Sequence, residues 1–141
     1  MDDVTPRRHR IRTGCDLVSL TEVEESITQF GERYLRRVFT PNELRYCDGP
    51  DRVARLAARF AAKEAVMKAF AEPSASFGFF DIEVEVVGSV PRLVLSGSAA
   101  RLAAEQGWVD NSVSLSHTSC HAAAVVAVTC VEDAPTTEAT R

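Results

Sequence analysis

Residues Arg59 to Ala69 read Arg-Phe-Ala-Ala-Lys-Glu-Ala-Val-Met-Lys-Ala. Glu64 and Lys68 are four apart, so on a helix they share one face, with Phe60 a turn behind them. A carboxylate binds magnesium and an ammonium binds phosphate, so one helix face can present both halves of a metal–phosphate site. The same spacing also suits an exposed pair that supports the helix by roughly 0.2–0.5 kcal/mol. What separates these readings lies elsewhere in the chain.

A second segment, Ile11 to Leu20, surrounds one aspartate, Asp16, with apolar and β-branched residues. An aspartate buried there without a partner is costly. Arg12 or Arg59 are possible ion-pair partners, and a turn or cap is the plainer alternative. Meeting Glu64 would give Asp16 a different purpose, since two carboxylates with phosphate oxygens and waters commonly hold Mg²⁺. Gly14, two residues earlier, lets another backbone approach closely. A third segment, Ser112 to Thr118, alternates polar and apolar residues like a strand and ends on Ser116, His117 and Thr118.

The elements that must position these residues follow an α+β order. Arg10 to Leu20 reads as a strand. Thr21 to Phe39 reads as helical with a break near Gly31, and Thr21 to Glu24 forms a possible capping box. Thr40-Pro41-Asn42-Glu43 is a stronger helix start, with Thr40 as cap, Pro41 in the first turn and Glu43 reaching back. Asp48-Gly49-Pro50 ends that helix. Asp51 to Ala71 is the long helix bearing Glu64 and Lys68, stopped by Pro73. Phe80–Val87 and Arg92–Leu95 make a hairpin about Gly88 to Pro91. Gly97–Gln106 is a helix, and Val113–His117 with Ala122–Val131 is the last hairpin. Residues 1–10 read as a basic arm, 11–131 as one domain, and 132–141 as a polar, disordered tail.

Composition narrows the function. The chain has 141 residues, enough for one modest core. A net charge of −4 argues against nucleic acid as the partner, and Arg7-Arg8-His9-Arg10 reads as a solvated arm. No apolar run reaches the roughly 18 residues of a membrane helix, and the first residues lack the apolar core of a signal peptide. The four cysteines form no Cys-x-x-Cys pair, which suits reduced thiols in the cytoplasm. His117, Cys120 and His121 lack the fourth ligand of a closed zinc site.

Together the segments resemble the short-type 4'-phosphopantetheinyl transferases, the holo-acyl-carrier-protein synthases. The likeness rests on Gly14-Cys15-Asp16, on Arg59-Phe60 through Lys63-Glu64 to Lys68, and on Ser114-Leu115-Ser116-His117 before an alanine-rich strand. Phe39-Thr40 with Glu43-Leu44, and Gly88 to Pro91, add to it, and it spans about residues 11–131. The resemblance implies a small antiparallel sheet packed with a long helix. It implies transfer of the 4'-phosphopantetheine arm of coenzyme A to a serine of an apo acyl carrier protein, in fatty acid or polyketide biosynthesis, with Mg²⁺ and release of 3',5'-ADP. It assigns Asp16 and Glu64 to the metal, Glu64 and Lys68 to catalysis, and Arg59, Lys68, Gly88, Pro91, His117 and Thr118 to coenzyme A. The base that takes the serine proton is either Glu64 or a metal-bound water. Members are typically homotrimers.

Two departures stand out. Glu22 occupies a position where the family often has an arginine for acidic carriers, leaving Arg33, Arg36 and Arg37 to supply positive charge. Ala71-Glu72-Pro73-Ser74 replaces a common Gly-Thr-Gly, so the loop after the helix must differ. The competing readings are a non-catalytic carrier- or coenzyme-A-binding module on the same fold and an unrelated Mg²⁺-dependent phosphate hydrolase.

Overall fold

The computed structural model describes residues 6–71 and 78–133. In chain order the elements are β1 (Arg7–Ser19), α1 (Leu20–Phe30), α2 (Glu32–Val38), α3 (Pro41–Cys47), α4 (Arg52–Ala69), a 3-10 turn (Phe79–Asp81), β2 (Ile82–Val87), β3 (Val90–Leu95), α5 (Gly97–Glu105), β4 (Trp108–His117) and β5 (His121–Asp133). Strands β1, β5 and β4 form an antiparallel sheet in that order, and β2 and β3 pair as a separate hairpin.

Alternation along β1 decides what faces the long helix. Gly14, Asp16 and Val18 turn toward α4, while Ile11, Thr13, Cys15 and Leu17 turn away. A methyl group at Gly14 would sit 1.8 Å from the carbonyl oxygen of Ala65. Only glycine admits that approach, as its place in the sequence implied. The helix reciprocates with small side chains: Ala57, Ala58, Ala61, Ala62 and Ala65 pack against Val18, Ala122, Ala124, Val126 and Val128. A second cluster, Leu35, Val38, Phe39, Cys47 and Leu56, ties α2 and α3 to the early turns of α4.

Several element ends differ from the sequence expectation. β1 starts at Arg7, and β5 runs through Glu132 and Asp133. Charged residues at both ends gave these segments the look of an arm and a tail. They are cross-strand partners, with Glu132 accepting Arg12 at 3.0 Å and Arg10 at 3.5 Å. α1 starts at Leu20, so Thr21 is inside the helix and makes no capping box. The strand feeds directly into the helix, and the Leu20 N–H donates to the Cys120 carbonyl at 2.9 Å, which does part of the cap's work. The break at Gly31, φ +57°, and the Thr40–Glu43 capping box both stand as read. α4 ends at Ala69, and Pro73 with its loop lies outside the described residues. Val90 and Pro91 belong to β3, so the hairpin turn is Gly88 and Ser89 alone.

Candidate active site

β1 and α4 bring Asp16, Glu64 and Lys68 together. Lys68 Nζ donates to Asp16 Oδ1 at 3.1 Å and to the Cys15 carbonyl at 2.9 Å. Asp16 therefore pairs with neither Arg12 nor Arg59. The Asp16 side chain is 18 % exposed and that of Lys68 56 %, so the ammonium is reachable from solvent while the carboxylate is largely enclosed. Burial pushes the Glu64 carboxyl above the usual carboxylate range, the negative charge of Asp16 pushes the same way, and Lys68 opposes both. Two carboxylates that repel each other beside one cation form a site that gains from a further positive charge.

The donor set fits a hard divalent cation. No group of three or more His, Cys, Asp or Glu side chains comes together among the described residues. Two carboxylates are what Mg²⁺ commonly takes from a protein when phosphate oxygens and water complete its shell.

The other residues singled out in the sequence lie apart from this cluster. His117 ends β4, and Thr118 opens the following turn, its hydroxyl accepting the N–H groups of Cys120 and His121 at 3.1 Å each. Both line a cleft with Leu20, Arg52, Val53 and Ser119 at the N-terminal end of α4. Lys68 is in the last turn of that helix, while across the sheet His117 stands level with Ala122 and Val18, two residues along β1 from Asp16. Gly88, φ +64°, lies at the tip of the β2–β3 hairpin, with Pro91 on its second strand opposite Val86. Arg59 is buried; it donates to the Arg55 carbonyl at 3.1 Å and lies 4.8 Å over the Tyr46 ring. Its Nε has no partner among the described residues.

Sequence spacing gave no warning of two contributors. One is the Cys15 carbonyl, which helps hold Lys68, and a backbone acceptor leaves no trace in residue type. The other is Lys63. The helix period puts it off the face of Glu64 and Lys68, a position that by itself suits a solvated charge as well as a phosphate contact. It is fully buried and does neither. Its ammonium donates to Glu43 Oε1 at 2.7 Å, to the Phe79 carbonyl at 3.0 Å and to the Ile82 carbonyl. Glu43 also accepts the Thr40 N–H at 2.9 Å and, through its other oxygen, the Val84 N–H at 3.0 Å. One ion pair thus joins α3, α4 and β2 beneath the site.

Residues 12–126 match the family model of the 4'-phosphopantetheinyl transferase superfamily, and the chain belongs to that family. Within it, several proteins named holo-[acyl-carrier-protein] synthase are similar to this chain along most of its length. The protein of that name from Moorella thermoacetica is 44 % identical over 120 residues, covering 84 % of this chain and 93 % of the relative. That from Koribacter versatilis is 42 % identical over 117 residues, covering 81 % and 94 %. Among solved structures, the Chronobacterium ammoniagenes ACPS–CoA complex superposes with a TM-score of 0.77 at 30 % identity, covering 86 % of this chain and 98 % of that one. The Helicobacter pylori holo-[acyl-carrier-protein] synthase in complex with coenzyme A gives 0.72 at 30 % identity, covering 82 % and 98 %.

Proposed function

We propose that this enzyme transfers the 4'-phosphopantetheine arm of coenzyme A to a serine of an apo acyl carrier protein and releases 3',5'-ADP. The observation that carries this reading is the convergence of Asp16, Glu64 and Lys68 from two elements onto one small charged site. The serine Oγ attacks the phosphorus that bears pantetheine. The bond from that phosphorus to the 3',5'-ADP oxygen breaks, and the serine proton goes to a base. Such a transfer needs alignment and charge neutralisation more than covalent help from the protein.

Each residue has a part that its surroundings support. Asp16 and Glu64 would hold Mg²⁺, which supplies positive charge to the pyrophosphate. Lys68, exposed and tethered at Cys15 and Asp16, would meet a phosphate oxygen and stabilise the departing 5'-phosphate of 3',5'-ADP. Glu64 or a metal-bound water would receive the serine proton, since either could lie within reach of the hydroxyl. Gly88, Pro91, His117 and Thr118 would contact coenzyme A. For Arg59 the burial and the Tyr46 contact support a different role, holding α3 against α4.

The family likeness supports a homotrimer, in which coenzyme A lies between subunits. The sheet face turned away from α4 supports it too: Ile11 is 73 %, Leu17 67 % and Val125 48 % exposed on that open face. Sedimentation equilibrium is expected to give three times the 15.4 kDa chain mass. A monomer that remains fully active would sink this arrangement. A reducing, cytoplasmic setting fits the cysteines, which are all free thiols, and no helix of the described residues is long and apolar enough to cross a membrane.

The direct test is intact mass. With coenzyme A and Mg²⁺, an apo carrier protein should gain one phosphopantetheine arm. Consumption of coenzyme A without any carrier would instead indicate a hydrolase. Binding of coenzyme A with no gain on any carrier would indicate a binding module.

A further inference from the structure

Positive charge in this chain comes almost wholly from arginine. Of 16 Lys and Arg residues only Lys63 and Lys68 are lysine. The distinction matters to an acyl donor, because a guanidinium stays protonated whereas an amine that has shed its proton is a nucleophile. The two lysines stand in opposite surroundings. The Lys63 side chain has no exposed surface and gives its hydrogens to Glu43, Phe79 and Ile82. The Lys68 side chain is 56 % exposed and donates to Asp16 and the Cys15 carbonyl. In the folded chain Lys68 is therefore the one lysine that a small reagent reaches.

Its neighbours favour one class of donor. Asp16 and Glu64 suit a divalent cation whose shell phosphate oxygens complete, and Lys68 stands beside them. A small acyl phosphate carries a phosphate for that place and, one oxygen away, an electrophilic carbonyl carbon. Seating the phosphate there holds the carbonyl beside Nζ, and holding two reactants together accelerates their reaction.

We propose that Lys68 is an acylation site for small acyl phosphates, and that the amide so formed closes the site to coenzyme A. The second half rests on the transferase reading, which brings a phosphate of coenzyme A to Lys68. In the step itself Nζ, having given up a proton, attacks the carbonyl carbon. The N–C bond forms, the bond from that carbon to the bridging oxygen breaks, and phosphate leaves with the electron pair. Of the three ammonium hydrogens one stays on the amide, one leaves on phosphate and one passes to water. The product has no charge and a single N–H, so Asp16 and Glu64 lose their cation and the acyl group fills the place of a phosphate oxygen. Accumulating acyl phosphate would thereby slow the use of coenzyme A.

The test treats the full-length protein with acetyl phosphate and Mg²⁺, folded and in urea. Hydroxylamine then strips acyl groups from cysteines, and peptide masses locate the amides that remain. Lys68 should be acylated at least about 10-fold faster in the folded protein than in urea. Lys63 should be silent when folded and react like Lys68 in urea. The folded, acylated protein should bind coenzyme A at least about 10-fold more weakly by calorimetry. The same treatment should leave the affinity of Lys68→Arg protein where it stood, which separates Lys68 from other amines such as that of Met1. Equal Lys68 rates in folded and unfolded protein, acylation of folded Lys63, or unchanged coenzyme A binding after acylation would overturn the inference. None of these readouts needs a carrier. Untreated protein that gives all of them yet transfers nothing to any carrier would count against the transferase reading alone.

Discussion

Glu64→Gln protein should fold as well as the wild type and yet transfer phosphopantetheine at least about 100-fold more slowly, since even outer-shell partners of a metal site are worth 10–100-fold. The two halves of that result have one cause. Burial and the Asp16 charge make the ionised Glu64 carboxylate unfavourable in the folded chain, so its pKa is raised. A group with a raised folded pKa adds stability that is complete below its unfolded value and is lost as pH climbs through the folded value. Above that folded value the contribution is gone, and the amide removes a repulsion. Its melting temperature should therefore equal or exceed that of the wild type at pH 7. The wild type should gain on it as pH falls through the raised Glu64 pKa toward the ordinary carboxylate range. Over the same interval Mg²⁺ affinity should drop, because the proton and the cation compete for one carboxylate. Differential scanning calorimetry at several pH values, paired with metal titration, tests this. An unfolded Glu64→Gln protein, or one that retains wild-type rate, would remove Glu64 from the site.

The site was legible where chemistry and period coincide. Glu64 and Lys68 are one helical turn apart, and Asp16 is a charge that a strand has little other reason to hold, so their meeting follows from β1 crossing α4. Gly14 was legible because few reasons other than close approach place glycine inside a strand beside a small-residue helix. The Thr40–Glu43 box was legible because it is wholly local. What failed to show was decided at long range. Arg7 and Glu132 read as termini because strand pairing between distant segments leaves no periodic mark in either. Lys63 suits solvent or a ligand in the sequence because the helix period gives only its direction, and nothing local tells that β2 fills that direction. The end of α4 that the β4–β5 turn reaches was hidden likewise, since neither sequence distance nor motif order tells it.

Lys63→Ala should be the most destabilising substitution near the site, by about 3–5 kcal/mol, since it strands the buried Glu43 carboxylate. Burial itself lowers the Lys63 pKa, and Glu43 works against that, so the ammonium is held in place by its partner. Glu43 keeps two backbone donors, Thr40 and Val84, in the mutant. They do not replace a full positive charge, and the Phe79 and Ile82 carbonyls lose their donor outright. Removing both charges with Lys63→Met and Glu43→Gln should cost less than the two single changes added together, the mark of coupled partners. Chemical unfolding at one fixed protein concentration is the measurement, because an oligomer's stability varies with concentration. The alternative role makes the opposite forecast: a Lys63 that served phosphate would leave unfolding nearly unchanged and raise KM for coenzyme A. The geometry argues against that, because an ammonium with no exposed surface and three protein acceptors has no direction left in which to reach a ligand.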